Sequence, residues 1–187
     1  MDLRIISSHL SLDYLNKYKN GKTFIESGTY YGDTIWIALE TDFEQIHSIE
    51  LDKGFYDRAV KLFDHKPQVK IWHGDSVDRL PDILKTVEGP STLWLDAHAS
   101  GSVPGGKTGG SPILDELAII GNHPNKEHTI FIDDRRLFGS AEWSGVLEEQ
   151  ALSLLRKINP KYEILFLDGH IEKDIICAFV QKENVKE

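Results

Sequence analysis

Thr23-Phe24-Ile25-Glu26-Ser27-Gly28-Thr29-Tyr30-Tyr31-Gly32-Asp33-Thr34 is the stretch that decides the fold. Residues 23–26 read as a short strand. Gly28 and Gly32 lack a Cβ, so the backbone can turn tightly and approach a ligand closely. Helical periodicity follows from Thr34 to Leu39. Downstream, the same alternation repeats. Strands are expected at 45–51, 69–73, 91–95 and 128–132, and helices at 55–63, after the capping pair Asp75-Ser76 to Leu84, and at 146–158. Ser111-Pro112 opens one more helix, with Ser as N-cap, Pro at the first position and an apolar face of Ile113, Leu114, Leu117 and Ile120. Upstream of Gly21, Leu10, Leu15 and Tyr18 share one side of an accessory N-terminal helix within residues 1–20.

Strand-helix alternation predicts parallel strands with crossover helices on both faces. The last two strands, 162–167 and 175–180, are joined by only about seven residues through Asp168-Gly169-His170, too few for a parallel crossover. They are expected as an antiparallel hairpin at a sheet edge. The whole reads as one doubly wound α/β domain of seven strands over residues 1–187, without repeats or a linker.

Composition fits that expectation. The 187 residues are 40% hydrophobic and 27% charged, an ordinary globular balance rather than a disordered one. Thirty Asp and Glu against 21 Lys and Arg give a net charge of −9, which disfavours nucleic acid as a partner. The single cysteine, Cys177, sits in an apolar run and reads as a small buried hydrophobe. The sequence shows no signal-peptide pattern and no apolar run of spanning length, so no membrane partner and a cytoplasmic, reducing location are the expectation.

In open α/β sheets, ligands bind beyond the carboxyl ends of the strands. Five consecutive predicted strands end at carboxylates: Glu26, Glu50, Asp75, Asp96, and Asp133 with Asp134. A random solvated edge would rarely do this. The first turn is an acidic residue followed by GxxxG, not the GxGxxG of nicotinamide enzymes. It resembles the first motif of class I S-adenosylmethionine-dependent methyltransferases. That resemblance spans residues 21–181 and implies a Rossmann-like methyltransferase sheet with S-adenosyl-L-methionine as cofactor. Its carry-over makes Glu26, Gly28, Thr29, Gly32, Thr34, Glu50, Asp75, Ser76 and Asp96 the cofactor-binding candidates. Glu50 would accept hydrogen bonds from ribose hydroxyls, and Asp75 would hold the adenine amine while also capping its helix.

Asp96, Asp133 and Asp134 would share one rim, where three carboxylates repel each other unless protonated or paired with a cation. The pattern is similar to metal-dependent O-methyltransferases of the catechol and macrocin types. It implies a divalent metal, Mg²⁺ first, held by Asp96, Asp133 and Asp134, which would lower the pKa of a substrate hydroxyl. His98 is the candidate general base, with Asp96 beside it in the catalytic group. A loop histidine and a metal-shell partner are its other readings, and Lys107 is a lesser candidate. Asp133-Asp134-Arg135-Arg136 could instead be an internal salt-bridge cluster, or one arginine could bind an anionic substrate group.

Gly101 to Thr108 matches the phosphate-loop pattern GxxxxGK[ST]. Its context argues against that role, because Asp96 to Ser100 intervene after the strand and Gly109 to Pro112 delay the helix. A flexible lid is the favoured reading of the loop, and a nucleotide-binding kinase or triphosphatase is the runner-up. A non-catalytic cofactor-binding scaffold is a third reading. The expected acceptor is a hydroxyl on a sugar, a glycan or another small molecule; a homodimer is compatible with the sequence.

Overall fold

A computed structural model of the chain describes residues 8–97 and 110–181. Its elements run β1 (Thr23–Ser27), α2 (Asp33–Leu39), β2 (Gln45–Glu50), α3 (Lys53–Phe63), β3 (Val69–His73), α4 (Ser76–Leu84), β4 (Ser91–Leu95), α5 (Ile113–Asn122), β5 (Thr129–Ile132), α6 (Glu148–Ile158), β6 (Glu163–Leu167) and β7 (Ile175–Phe179), preceded by α1 (Leu12–Tyr18). All seven strands form one sheet in the order β3-β2-β1-β4-β5-β7-β6. Strands β1 to β5 are parallel, whereas β7 runs antiparallel to both β5 and β6. The expected seven-stranded sheet and its terminal hairpin are both present.

Side chains alternate across the central strands, and each set packs under its own helices. Phe24, Ile46, Trp94, Phe131 and Cys177 face α1, α2 and α3. Ile25, Ile49, Leu93, Leu95, Ile130 and Ile132 face α4, α5 and α6. Each of these fully buried side chains contributes about 1.5–3 kcal/mol of transfer free energy. Cys177 is buried as expected.

Helices α2 and α3 begin one and two residues earlier than the sequence reading and α6 two residues later, and two further starts differ in their caps. The N-cap position of α5 is Pro112 rather than Ser111; the Ser111 hydroxyl still accepts from the Ile113 amide at 3.4 Å. The N-terminal helix begins only at Leu12, capped by Ser11, so Leu10 lies in the segment before it. That segment is not merely accessory: Leu10 and Leu15 are both fully buried in the core beneath α2. Among the described residues no helix is long and apolar enough to cross a membrane.

Strand order reverses between β1 and β4, whose crossovers leave to opposite faces. This is the switch point at which doubly wound sheets bind ligands. Gly28 makes the switch point possible. Its φ is +89°, and a Cβ there would lie 2.6 Å from the Asp96 carbonyl oxygen, closing the gap between the two strand ends.

Candidate functional site

Every carboxylate singled out in the sequence among the described residues lies at or just beyond the carboxyl end of a strand. Glu26, one residue inside the end of β1, is fully buried. Parallel register sets it beside Ser48 of β2, whose hydroxyl donates to Glu26 Oε2 at 2.5 Å. Thr29 Oγ1 lies 2.5 Å from the same Ser48 hydroxyl, so Thr29 closes this network from inside. Burial pushes the Glu26 carboxyl up to about 8, with the Ser48 bond opposing and the Asp96 charge adding to the rise.

Glu50 ends β2 and is held by two backbone amides. Tyr30 N–H donates to Oε2 and Asp52 N–H to Oε1, each at 2.8 Å. A carboxylate with one bond on each oxygen keeps further lone pairs for a ligand. The geometry carries strain, since Tyr30 has φ +48° and its ring is left 48% exposed. Tyr30, Tyr31 and Phe55 stack on one another beside it.

Asp75 caps α4, accepting from the Val77 amide at 3.0 Å, and Ser76 is buried as the first residue of that helix. Gly32, at φ +81°, begins α2. Thr34 is buried two residues on, and its hydroxyl donates to the Ser8 hydroxyl at 2.9 Å.

Beyond β4 and β5 the side chains group differently from the sequence expectation. Asp96 follows β4, its amide bonded to the Ser27 carbonyl, and Asp133 follows β5, its amide bonded to the Leu95 carbonyl. The set of donor atoms that could share one cation is His9, Asp133 and Asp134, all within 4.8 Å of one another; Asp96 is outside that set. His9 Nδ1–H donates to Asp133 Oδ2 at 2.9 Å and lies 4.0 Å from Asp134 Oδ1. That hydrogen bond holds the His9 pKa above its ordinary value, while burial raises Asp133 against the pull of His9. The arginines divide. Arg136 bridges Asp134, at 2.5 Å, and Asp174, and Arg135 pairs with Glu148 at 2.8 Å. The salt-bridge reading of this segment therefore holds for Arg136, and Asp134 adopts the left-handed conformation, φ +55°, that starts its turn.

Four of these residues were not singled out as site residues from the sequence. Asp174 carried a signal: it directly precedes β7, and antiparallel pairing must bring that point back to the end of β5. Glu116 carried one too, as the only charged residue on the buried face of α5, 1% exposed between Ile113 and Leu117. It joins Leu95, Asp96, Ala97, Ser111, Ile113 and Trp143 around a small recess, and burial pushes it up to about 7. Ser48 and His9 had no such signal. His98, Lys107 and the Gly101–Thr108 pattern lie outside the described residues. Among those described, the buried carboxylate oxygens without a hydrogen-bond partner are Glu26 Oε1, Glu116 Oε1 and Asp133 Oδ1, all at this rim.

No protein-family model matches the sequence, and no curated protein does. Solved structures resemble it in fold. The O-methyltransferase from Bacillus cereus in complex with SAH is 16% identical, the alignment covering 91% of this chain and 78% of that one with a TM-score of 0.59. TomG from Streptomyces achromogenes, an O-methyltransferase involved in tomaymycin synthesis and solved with SAM, is 16% identical over 91% of this chain and 77% of its own, with a TM-score of 0.58. Spermidine synthase from Thermotoga maritima is 11% identical, over 96% of this chain and 60% of its own, with a TM-score of 0.60. The chain has the seven-stranded fold of S-adenosylmethionine-dependent methyltransferases, a fold that also hosts other chemistry.

Proposed function

We propose that this methyltransferase fold binds S-adenosylmethionine at the β1–β4 switch point and transfers its methyl group to a hydroxyl of a sugar, a glycan or another small acceptor. The observation that carries the reading is Glu50. Its carboxylate is fixed by two amides at the end of β2, with spare lone pairs, next to the Gly28 turn that lets β1 and β4 approach each other closely. The O-methyltransferases of the same fold solved with SAM and SAH support the cofactor. Glu50 would accept from the ribose hydroxyls, Asp75 from the adenine amine, and Glu26 and Asp96 would border the reacting end. Methyl transfer is a displacement in line with the sulfonium, so the protein's main task is alignment of the acceptor oxygen.

The residues at the β5 end fit a divalent cation. Asp133 Oδ1 is buried without a hydrogen-bond partner, and Asp134 and Asp174 share one guanidinium, that of Arg136. Asp133 and Asp134 would hold such an ion, which would bind the acceptor hydroxyl and lower its pKa. His98, next after Ala97, is the base of this reading.

The test is transfer of label from methyl-labelled S-adenosylmethionine to panels of sugar and aromatic-diol acceptors, with divalent metal and with excess chelator. The expected result is a labelled methyl ether, formed with release of SAH and a proton, that chelation abolishes, with SAH affinity retained. Full activity in chelator would remove the metal from the reading, and neither transfer nor SAH binding would overturn it.

A further inference from the structure

The residue preceding Leu10 stands over the cation-binding rim, and its position is built rather than incidental. His9 lies between two anchors. Ser8 Oγ accepts from Thr34 Oγ1 at 2.9 Å and from the Leu10 amide at 3.2 Å, and Leu10 is 1% exposed in the core. Ser11 then caps α1. The segment is therefore pinned on both sides of the imidazole. On the far side, the His170 ring of the β6–β7 turn lies 5.4 Å from the His9 ring, limiting its swing.

We propose that His9 is a ligand of the cation site formed with Asp133 and Asp134, and that its nitrogen makes this a site for first-row transition-metal ions in preference to Mg²⁺. The proposal rests on the cation part of the functional reading and adds to it the ligand and the metal class.

Three observations carry it. His9 Nδ1 lies 2.9 Å from Asp133 Oδ2 and 4.0 Å from Asp134 Oδ1. Ligands bonded at about 2.1 Å to one octahedral ion lie about 3 Å apart when adjacent and about 4.2 Å apart when opposite. Second, Asp133 is 3% exposed with Oδ1 unpartnered, a buried oxygen left for something other than His9. Third, Asp134 and Asp174 share the one Arg136 guanidinium, so a second cation beside Asp134 and Asp133 would meet carboxylates that outnumber it. Mg²⁺ takes oxygen ligands and retains its waters, whereas imidazole suits the first-row transition metals increasingly along the series, in which Mn²⁺ binds most weakly and serves as the spectroscopic probe. Two carboxylates and one imidazole leave open positions on such an ion for water or an acceptor oxygen.

The test is Mn²⁺ binding to the full chain followed by electron paramagnetic resonance, with Mg²⁺ and SAH affinities measured by calorimetry on the same samples. Wild-type protein should bind Mn²⁺ at least about tenfold more tightly than Mg²⁺, and pulsed spectra of the bound ion should show ¹⁴N coupling. His9→Ala should lose that coupling and at least about tenfold of the Mn²⁺ affinity, and its Mg²⁺ affinity should change much less. His170→Ala should keep the coupling. The wild-type spectrum reads the ligand directly, so the proposal does not depend on the variant folding. Bound Mn²⁺ without ¹⁴N coupling would overturn it, as would coupling that survives in His9→Ala. No Mn²⁺ binding with normal SAH binding would overturn the whole cation site and leave the cofactor site standing. That last outcome would make the His9–Asp133 contact an ion pair that closes the N-terminal segment onto the sheet.

Discussion

The two ends of the same sheet are built on opposite terms. At the amino end of the strands, several polar groups are paired with one another, although the Ser91 hydroxyl and the Tyr162 hydroxyl are buried without a partner. Thr92 Oγ1 donates to the Asn20 carbonyl at 3.0 Å and accepts from its amide at 2.9 Å, and Thr129 Oγ1 donates to the Tyr18 carbonyl at 2.6 Å. The buried His128 and His123 form a chain: the Ser91 amide donates to His128 Nδ1, His128 Nε2 lies 3.0 Å from His123 Nδ1, and His123 Nε2 lies 3.0 Å from the Val87 carbonyl oxygen. Burial holds His128 down to about 4. At the carboxyl end, three carboxylate oxygens have no partner, and Tyr30 and Asp134 take left-handed conformations. Unsatisfied buried polar atoms and strained backbone both cost free energy, and they persist where something else completes them. Among the described residues, the unpartnered buried carboxylate oxygens all lie at the carboxyl end, where the proposed ligand site is.

That contrast can be broken or sharpened by substitution, the largest effect first. Gly28→Ala places a Cβ 2.6 Å from a backbone oxygen at φ +89°, so it should cost about 3 kcal/mol in urea unfolding and abolish SAH binding. An unchanged denaturation midpoint would mean that the close approach of β1 and β4 is not needed. Glu26→Gln keeps the acceptor for Ser48 and removes the ionisation. Because the Glu26 pKa is raised from 4.5 to about 8, its favourable contribution is full below about pH 4.5 and declines as pH rises through about 8. The variant should therefore match wild type at pH 4.5 and gain on the order of 2 kcal/mol at pH 8.5. A pH-independent difference between the two melting curves would contradict that.

Glu50→Ala removes the acceptor held by Tyr30 and Asp52 and should weaken SAH binding at least about tenfold. His128→Gln tests the opposite end and carries the smallest effect. His128 is lowered from 6.5 to about 4, so its contribution is full above about pH 6.5 and is lost as pH falls through about 4. Glutamine can accept from Ser91 and donate to His123 without titrating. The variant should flatten the acid limb of stability between about pH 6.5 and pH 4 and leave SAH affinity unchanged. A change in SAH affinity would mean that the two ends are coupled.

The fold was legible because its signal is periodic. Strand-helix alternation and the short link between the last two strands were enough to place β7 against β5 and β6. The carboxylates were legible because the fold rule assigns strand ends to the ligand side, which located Glu26, Glu50, Asp75, Asp96, Asp133 and Asp134 together. Partners were legible only where pairing dictates them. Asp174 follows from the antiparallel hairpin, and Arg136 from its place two residues after Asp134. His9 meets Asp133 across 124 residues, a separation no local pattern reports. Leu10 looked like part of a helix because its apolar character fits one, yet Ser11 takes the cap and leaves Leu10 to anchor the segment that carries His9.

Equilibrium titration of the wild-type chain with SAH, and separately with ATP and Mg²⁺, tests the central claim most directly. Binding of one SAH per chain, weakened at least about tenfold by Glu50→Ala, with no saturable heat from ATP, is the predicted result. Saturable ATP binding with no SAH binding would contradict it, and would move the ligand site from the β1–β4 switch point to the Gly101–Thr108 sequence.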